Sequence, residues 1–129
     1  MNNSSVYIVA AKRTQIGKKN GGLKKLLAHD LGTHVIKSLI KNIDLNVKDI
    51  DEVIMGQVLT GNQGQNPARQ AAINAGVPVE KTAYIINQVC GSGLRSVASA
   101  YQSILIGESN IVFAGGQESM SNTDNEVLL

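Results

Sequence analysis

The sequence predicts an α/β fold, ordered β-α-β-α-β-α-β, with a mainly parallel sheet and helices on both faces. Two observations carry the prediction. Four short apolar runs rich in β-branched residues recur along the 129 residues. Between them lie segments with helical spacing of apolar positions or with helix start and stop residues. Strands that alternate with helices join by right-handed crossovers, which makes the sheet parallel and covers its faces.

The first run, Val6-Tyr7-Ile8-Val9-Ala10, is bounded by polar residues and predicts a buried strand. A loop rich in Gly and Lys follows to about Lys25. Leu27, Leu31, Val35, Leu39 and Ile43 then recur every fourth residue, one face of an amphipathic helix, with Asp30 in its first turn where a negative charge suits the helix dipole. Val53 to Leu59 is the second strand. Asn66-Pro67 opens the second helix as N-cap and first helical residue, and Gly76 ends it. Thr82 to Ile86 is the third strand. A third helix is predicted from about Gly91 to Ile106, with Leu94, Val97, Ala98, Tyr101 and Leu105 on one face and Gly107 as its stop. Ser96, Ser99, Ala100 and Ser103 on its other faces allow close approach from several sides, so this helix is expected to be deeply buried. Ile111 to Ala114 is the fourth strand.

At 129 residues and 13.7 kDa, the chain is the size of one ordinary domain. Its 43% hydrophobic and 17% charged content excludes a disordered or collagen-like chain. Apolar runs are far shorter than the ~18 residues of a membrane helix, and no leader pattern is read at the N-terminus, so no membrane association is expected. One cysteine and two histidines form neither a disulfide nor a structural zinc site, and a reducing, cytoplasmic setting is expected. The net charge of +2 divides into +7 over residues 1–48 (nine basic, two acidic) and −5 over 49–129 (three basic, eight acidic). A basic stretch can serve nucleic acid, but with three Tyr, one Phe and no Trp there is almost nothing for bases to stack on, and no nucleic-acid partner is expected.

In open parallel sheets, sites gather at the carboxyl ends of strands. Cys90, in Asn87-Gln88-Val89-Cys90-Gly91-Ser92-Gly93-Leu94, falls there, between the third strand and the third helix. Unpaired backbone N–H groups and the positive end of the helix dipole favour a thiolate at that place. The same amides can hold a developing oxyanion, and Gly91 and Gly93 leave room for an acyl group. This is nucleophile chemistry, attack on a thioester to give an acyl-cysteine; a small buried hydrophobe is the competing reading of the same residue. His29 and His34 belong to the first helix region and are read as structural or surface residues. Gly115-Gly116-Gln117-Glu118-Ser119-Met120 shares the rim of Cys90, either to close over the site or as a plain turn. Residues 61–65 lie on that rim too and lack the Lys-Ser/Thr ending of a phosphate cradle.

Together these residues resemble the thiolase family. Asn87-Gln88-Val89-Cys90-Gly91-Ser92-Gly93-Leu94-Arg95 is similar to its acyl-enzyme signature. Gly56-Gln57-Val58, Gly64-Gln65-Asn66-Pro67-Ala68-Arg69-Gln70-Ala71-Ala72 and Ala75-Gly76-Val77-Pro78 resemble stretches of its biosynthetic branch, the acetoacetyl-CoA thiolases or acetyl-CoA acetyltransferases. Residues 114–121 match a further segment, except that Gln117 stands where Met is usual. The resemblance runs from about Val6 to Ser121; residues 1–121 are read as an incomplete thiolase-like N-terminal α/β domain and 122–129 as a polar tail that diverges from the family. It implies the first half of a duplicated α/β pair stacked in five layers, with the third helix in the middle. It implies Cys90 as the catalytic acyl acceptor in the reversible condensation of two acetyl-CoA to acetoacetyl-CoA and CoA. Coenzyme A thioesters enter as substrates, with no cofactor or metal of the protein's own; the residues that hold the coenzyme are not identified. Family members are several times longer and carry a His motif, an Asn motif and a second Cys that are not in these 129 residues. The chain is therefore expected to be a truncated segment, inactive alone. It is expected to form a homo-oligomer or to pair with a complementary thiolase C-terminal chain; a non-catalytic remnant or interaction module is the alternative.

Overall fold

The computed structural model describes residues 5–123. Six of the eight tail residues, 124–129, lie outside it. The elements are α1 (Ala28–Asn42), a short 3-10 turn (Val47–Asp49), β1 (Glu52–Gly56), α2 (Pro67–Asn74), β2 (Thr82–Ile86), α3 (Ser92–Leu105) and β3 (Val112–Gly116). The sheet is parallel, in the order β2-β1-β3, and Ile54 of β1 lies level with Tyr84 and Ala114. β1 is central and every one of its residues is buried.

Alternation along β1 divides the molecule into layers. Val53 and Met55 join Ile36 of α1 and Ala68, Ala71, Ala72 and Ala75 of the α2 segment in the main core. Ile54 and Gly56 face α3 on the opposite side, where a Cβ on Gly56 would meet the first turn of that helix. The predicted α/β class, with helices on both faces of a parallel sheet, is therefore the observed one.

Local chemistry fixes the element ends as the sequence indicates. The Asp30 carboxylate accepts the Leu27 N–H at 2.9 Å at the start of α1. Asn66 caps α2 by accepting the Arg69 N–H at 3.1 Å, with Pro67 in the first turn. Gly76 (φ +97°) and Gly107 (φ +80°) take the left-handed conformation that ends α2 and α3. The Arg69 guanidinium donates to the carbonyls of Val79 and Lys81, tying α2 to the approach to β2. Asp51 accepts the N–H groups of Asn110 (2.8 Å) and Ile111 (3.2 Å), which sets β3 in register. Those two bonds, with Lys81 at 3.5 Å, hold its carboxyl below the usual carboxylate range.

Two expectations are corrected. Residues 6–10 form no strand; Tyr7, Ile8 and Val9 are 76–82% exposed. They line a cavity of about 620 Å³ together with β3 and with parts of α1 and α3. A run of apolar residues reports a tendency to be covered but names no partner. A strand needs a neighbour about 4.8 Å away to complete its ladder, and these residues have none among the described ones. The third helix is also less buried than expected. Its covered residues are the small ones, Ser92, Ser96, Ala100 and Ser103, while Leu94 is 79% exposed and Tyr101 51%. The small face goes inward because the helix lies almost on the backbone of the sheet. Ser96 Oγ sits 2.6 Å from the Gly93 carbonyl oxygen and 2.7 Å from that of Gly115, so a larger side chain has no room.

Candidate active site

Two glycines, Gly56 and Gly116, let the start of α3 come down onto the strand ends. A Cβ on Gly56 would lie 2.4 Å from Ser92 C and 2.5 Å from Gly93 N, both backbone atoms. A Cβ on Gly116 would lie 3.4 Å from Gly93 Cα. A Cβ on Gly93 would lie 3.7 Å from Gly116, an ordinary contact, so the close seating rests on Gly56 and Gly116.

This seating places residues 87–91 across the carboxyl ends of the strands. Cys90 is a free, exposed thiol immediately before Gly91, the N-cap residue of α3. It lines a cavity of about 540 Å³ with Gly56, Val58, Val89, Gly116, Glu118 and Met120, among others. The competing reading, a small buried hydrophobe, fails on exposure. No histidine lines this cavity. His29 is buried on α1 and His34 is exposed on the same helix, so both take structural or surface positions as expected.

The Cys90 loop is held from two sides. Inside, Ser92 Oγ accepts the Gln88 N–H at 2.8 Å and donates to the Val89 carbonyl at 2.6 Å. Outside, Asn87 Oδ1 accepts the Val89 N–H at 3.0 Å, and Asn87 Nδ2 donates to the Val58 carbonyl at 3.2 Å. Val89 has φ +49°. That conformation is a marked outlier for a β-branched residue and costs on the order of 1–3 kcal/mol.

The segment after β3 closes the same rim. Glu118 Oε2 accepts the Val58 N–H at 2.8 Å and lies 3.4 Å from the Leu59 N. Gln117 Nε2 donates to Gln57 Oε1 at 2.9 Å, a buried amide pair, and Gln57 Nε2 donates on to the Leu59 carbonyl at 2.9 Å. The residue that departs from the family pattern is thus accommodated by an amide partner, while its Oε1 has no hydrogen bond and rests against Gly32. Sequence reading left residues 115–120 open between a lid and a turn; they are a strap joining the ends of β1 and β3. It missed Glu118 as an individual. The signal was available: a lone carboxylate after a strand-ending Gly-Gly pair, on a rim with unpaired amides. Residues 61–65 do not line the cavity. Gln63 is 2% exposed and accepts the Ala28 N–H at 3.2 Å, which anchors α1.

Among the described residues no cluster of His, Cys, Asp and Glu is suited to a metal ion, and no helix is long and apolar enough to cross a membrane.

A parallel α/β unit with its one cysteine at a helix start, above the carboxyl ends of the strands, belongs with the α/β proteins whose sites lie at that end of the sheet. Comparison with known proteins makes the assignment specific. Residues 6–128 match the family model described as thiolase, N-terminal domain, and the chain belongs to that family. It is 50% identical over 121 residues to an acetyl-CoA acetyltransferase of Rhizobium meliloti (strain 1021), covering 94% of this chain and 31% of that protein. It is 58% identical over 116 residues to the acetyl-CoA acetyltransferase of Chromobacterium violaceum, covering 90% and 30% respectively. It is 54% identical over 118 residues to that of Paracoccus denitrificans, covering 92% and 30%. The chain thus spans about a third of the length of these relatives. The match runs beyond residue 121, into the tail that the sequence reading set apart.

Proposed function

We propose that this chain is the acyl-accepting segment of an acetyl-CoA C-acetyltransferase, with Cys90 as the nucleophile. The observation that carries the reading is the exposed Cys90 thiol at the start of α3, in a cavity at the carboxyl ends of the strands. The names of the relatives supply the substrate class. The Cys90 thiolate attacks the carbonyl carbon of acetyl-CoA. The oxyanion collapses, the C–S bond to coenzyme A breaks, and the released CoA thiolate takes up a proton, leaving S-acetyl-Cys90. A second acetyl-CoA, as its enolate, then attacks this thioester; the C–S bond to Cys90 breaks, giving acetoacetyl-CoA and the Cys90 thiolate with which the cycle began. No resident cofactor is needed for either step.

The enolate requires a base, and no histidine faces this cavity. We therefore propose that condensation needs a complementary thiolase segment. General base catalysis is worth about 10²–10⁴ in rate, so the 129-residue chain alone should show no turnover above background. Mixing it with the remaining C-terminal segment of a relative should restore acetoacetyl-CoA thiolysis, and Cys90→Ser should abolish it. Turnover retained by Cys90→Ser would sink the proposal.

A second reading, association, is favoured by a separate observation. Leu94, Val97, Tyr101, Leu105 and Ile106 of the α3 segment are 37–79% exposed, and β2 is paired on one edge only among the described strands. Contiguous apolar surface and an open strand edge are normally covered. We propose that the isolated chain associates with itself through this face. Light scattering over a dilution series should give a mass above the 13.7 kDa of one chain. A monomer at every concentration would refute it.

A further inference from the structure

We infer that Asn87 and Glu118 are positioning residues for Cys90, acting through the backbone of Val89. The inference rests on the proposed role of Cys90 and names what holds that thiol in place. Val89 is 64% exposed, so packing gains nothing from its left-handed backbone. A β-branched residue leaves that region unless its own amide and carbonyl are held there. Both are held: Asn87 Oδ1 takes the N–H, and Ser92 Oγ donates to the carbonyl.

Asn87 is in turn oriented from outside its own loop. Its Nδ2 donates to the Val58 carbonyl, and the Val58 N–H donates to Glu118 Oε2. The peptide groups of Val58 thus bridge the two side chains. The chain of bonds Glu118–Val58–Asn87–Val89 crosses the three loops that leave β3, β1 and β2, and it ends one residue before Cys90. Val58, Val89, Cys90 and Glu118 all line the same cavity. The Val89 turn sets the direction in which the chain enters α3, and so the direction of the Cys90 side chain. Glu118 Oε1 is buried without a partner, so the carboxylate is committed to this strap alone among the described residues.

The test is the second-order rate of Cys90 alkylation by iodoacetamide in the intact 129-residue chain at pH 7.5, read by intact mass, with circular dichroism to confirm folding. Asn87→Ala should lower the rate at least fivefold, because the turn relaxes and the Cys90 side chain loses the direction that the loop gives it. Glu118→Ala should lower it at least twofold. Glycine adopts a left-handed φ without the strap. Adding Val89→Gly to Asn87→Ala should therefore restore the rate to within twofold of Val89→Gly alone. A structural role in general stability would not be rescued by a more flexible residue. Unchanged or faster alkylation in Asn87→Ala overturns the inference, and so does a slow rate that Val89→Gly fails to restore. Iodoacetamide needs no coenzyme, so failure here is distinct from failure of acyl transfer, which is read with acetyl-CoA.

Discussion

Replacing Gly56 by Ala should damage both the fold and the reactivity of Cys90. The new Cβ would stand 2.4–2.6 Å from Ser92 C, Gly93 N and Ser92 O. Ordinary contact begins near 3.4 Å, so the start of α3 must retreat by about 1 Å. These are backbone atoms of a hydrogen-bonded helix, with no flexible side chain to swing aside. Overpacking of this kind costs about 1–3 kcal/mol, and a domain of this size loses roughly 3–6 °C of melting temperature per kcal/mol. The expected fall is thus about 3–18 °C. Gly115→Ala is the matched control: it lies one residue from Gly116 on β3, and a Cβ there meets nothing within 4 Å. It should shift stability by no more than about 0.5 kcal/mol. Thermal melts by circular dichroism, with Cys90 alkylation rates on the same samples, make the comparison. If Gly56→Ala melts within about 1 °C of the parent, well under the shift that 1 kcal/mol produces in a domain of this size, or if both alanines cost the same, direct helix-on-strand seating is refuted.

Two further outcomes follow from ties between elements. The carboxyl of Asp51 is held below its ordinary range by the Asn110 and Ile111 amides, which outweigh its partial burial, and then by Lys81. The folded form therefore favours the ionised group. Its contribution is present above the carboxyl's unfolded pKa of about 3.9 and is lost as pH falls through the lower folded value. Asp51→Asn should lower stability by about 1 kcal/mol at pH 7, and the gap to the parent should close on acidification; a gap that widens in urea melts below pH 4 would contradict the sign. Asn66→Ala removes the α2 cap and the 2.9 Å bond from Nδ2 to the Ala83 carbonyl, and alanine is strained at φ +43°. It should cost about 1–2 kcal/mol, and Asn66→Gly should cost less; equal losses would point away from backbone strain.

The elements legible in the sequence were those whose signals are local. Asn66-Pro67 names its own helix start, Gly76 and Gly107 their own helix ends, and residues 82–86 their own strand. The place of Cys90 was legible for the same reason: strand end, glycines and helix start follow one another in the chain. What was not legible depends on residues far apart. Whether residues 6–10 pair with a strand is decided by a neighbour that no local pattern describes. Which face of α3 turns inward is decided by Gly56 and Gly116, 36 or more positions upstream and 20 or more downstream of Ser92 and Ser96. Apolar periodicity puts Leu94 and Tyr101 on one face of α3 but does not say which face meets the sheet. Backbone clearance decides it, because only Ser- and Ala-sized side chains fit between a helix and the strand ends it touches. The bond from Glu118 to Val58 spans 60 residues and is equally invisible to spacing.

The most direct test of the central claim, that the fold itself makes Cys90 an acyl acceptor, is the rate of its acetylation by acetyl-CoA. The 129-residue chain is incubated with excess acetyl-CoA at pH 7.5, quenched over time, and mapped by peptide mass, beside the same chain unfolded in urea. One acetyl group is expected on Cys90, acquired faster in the folded chain than in the unfolded one, removed by added coenzyme A, and absent from Cys90→Ser. Acetylation of Cys90 at the same rate in urea, or acetyl groups confined to lysines, would contradict it.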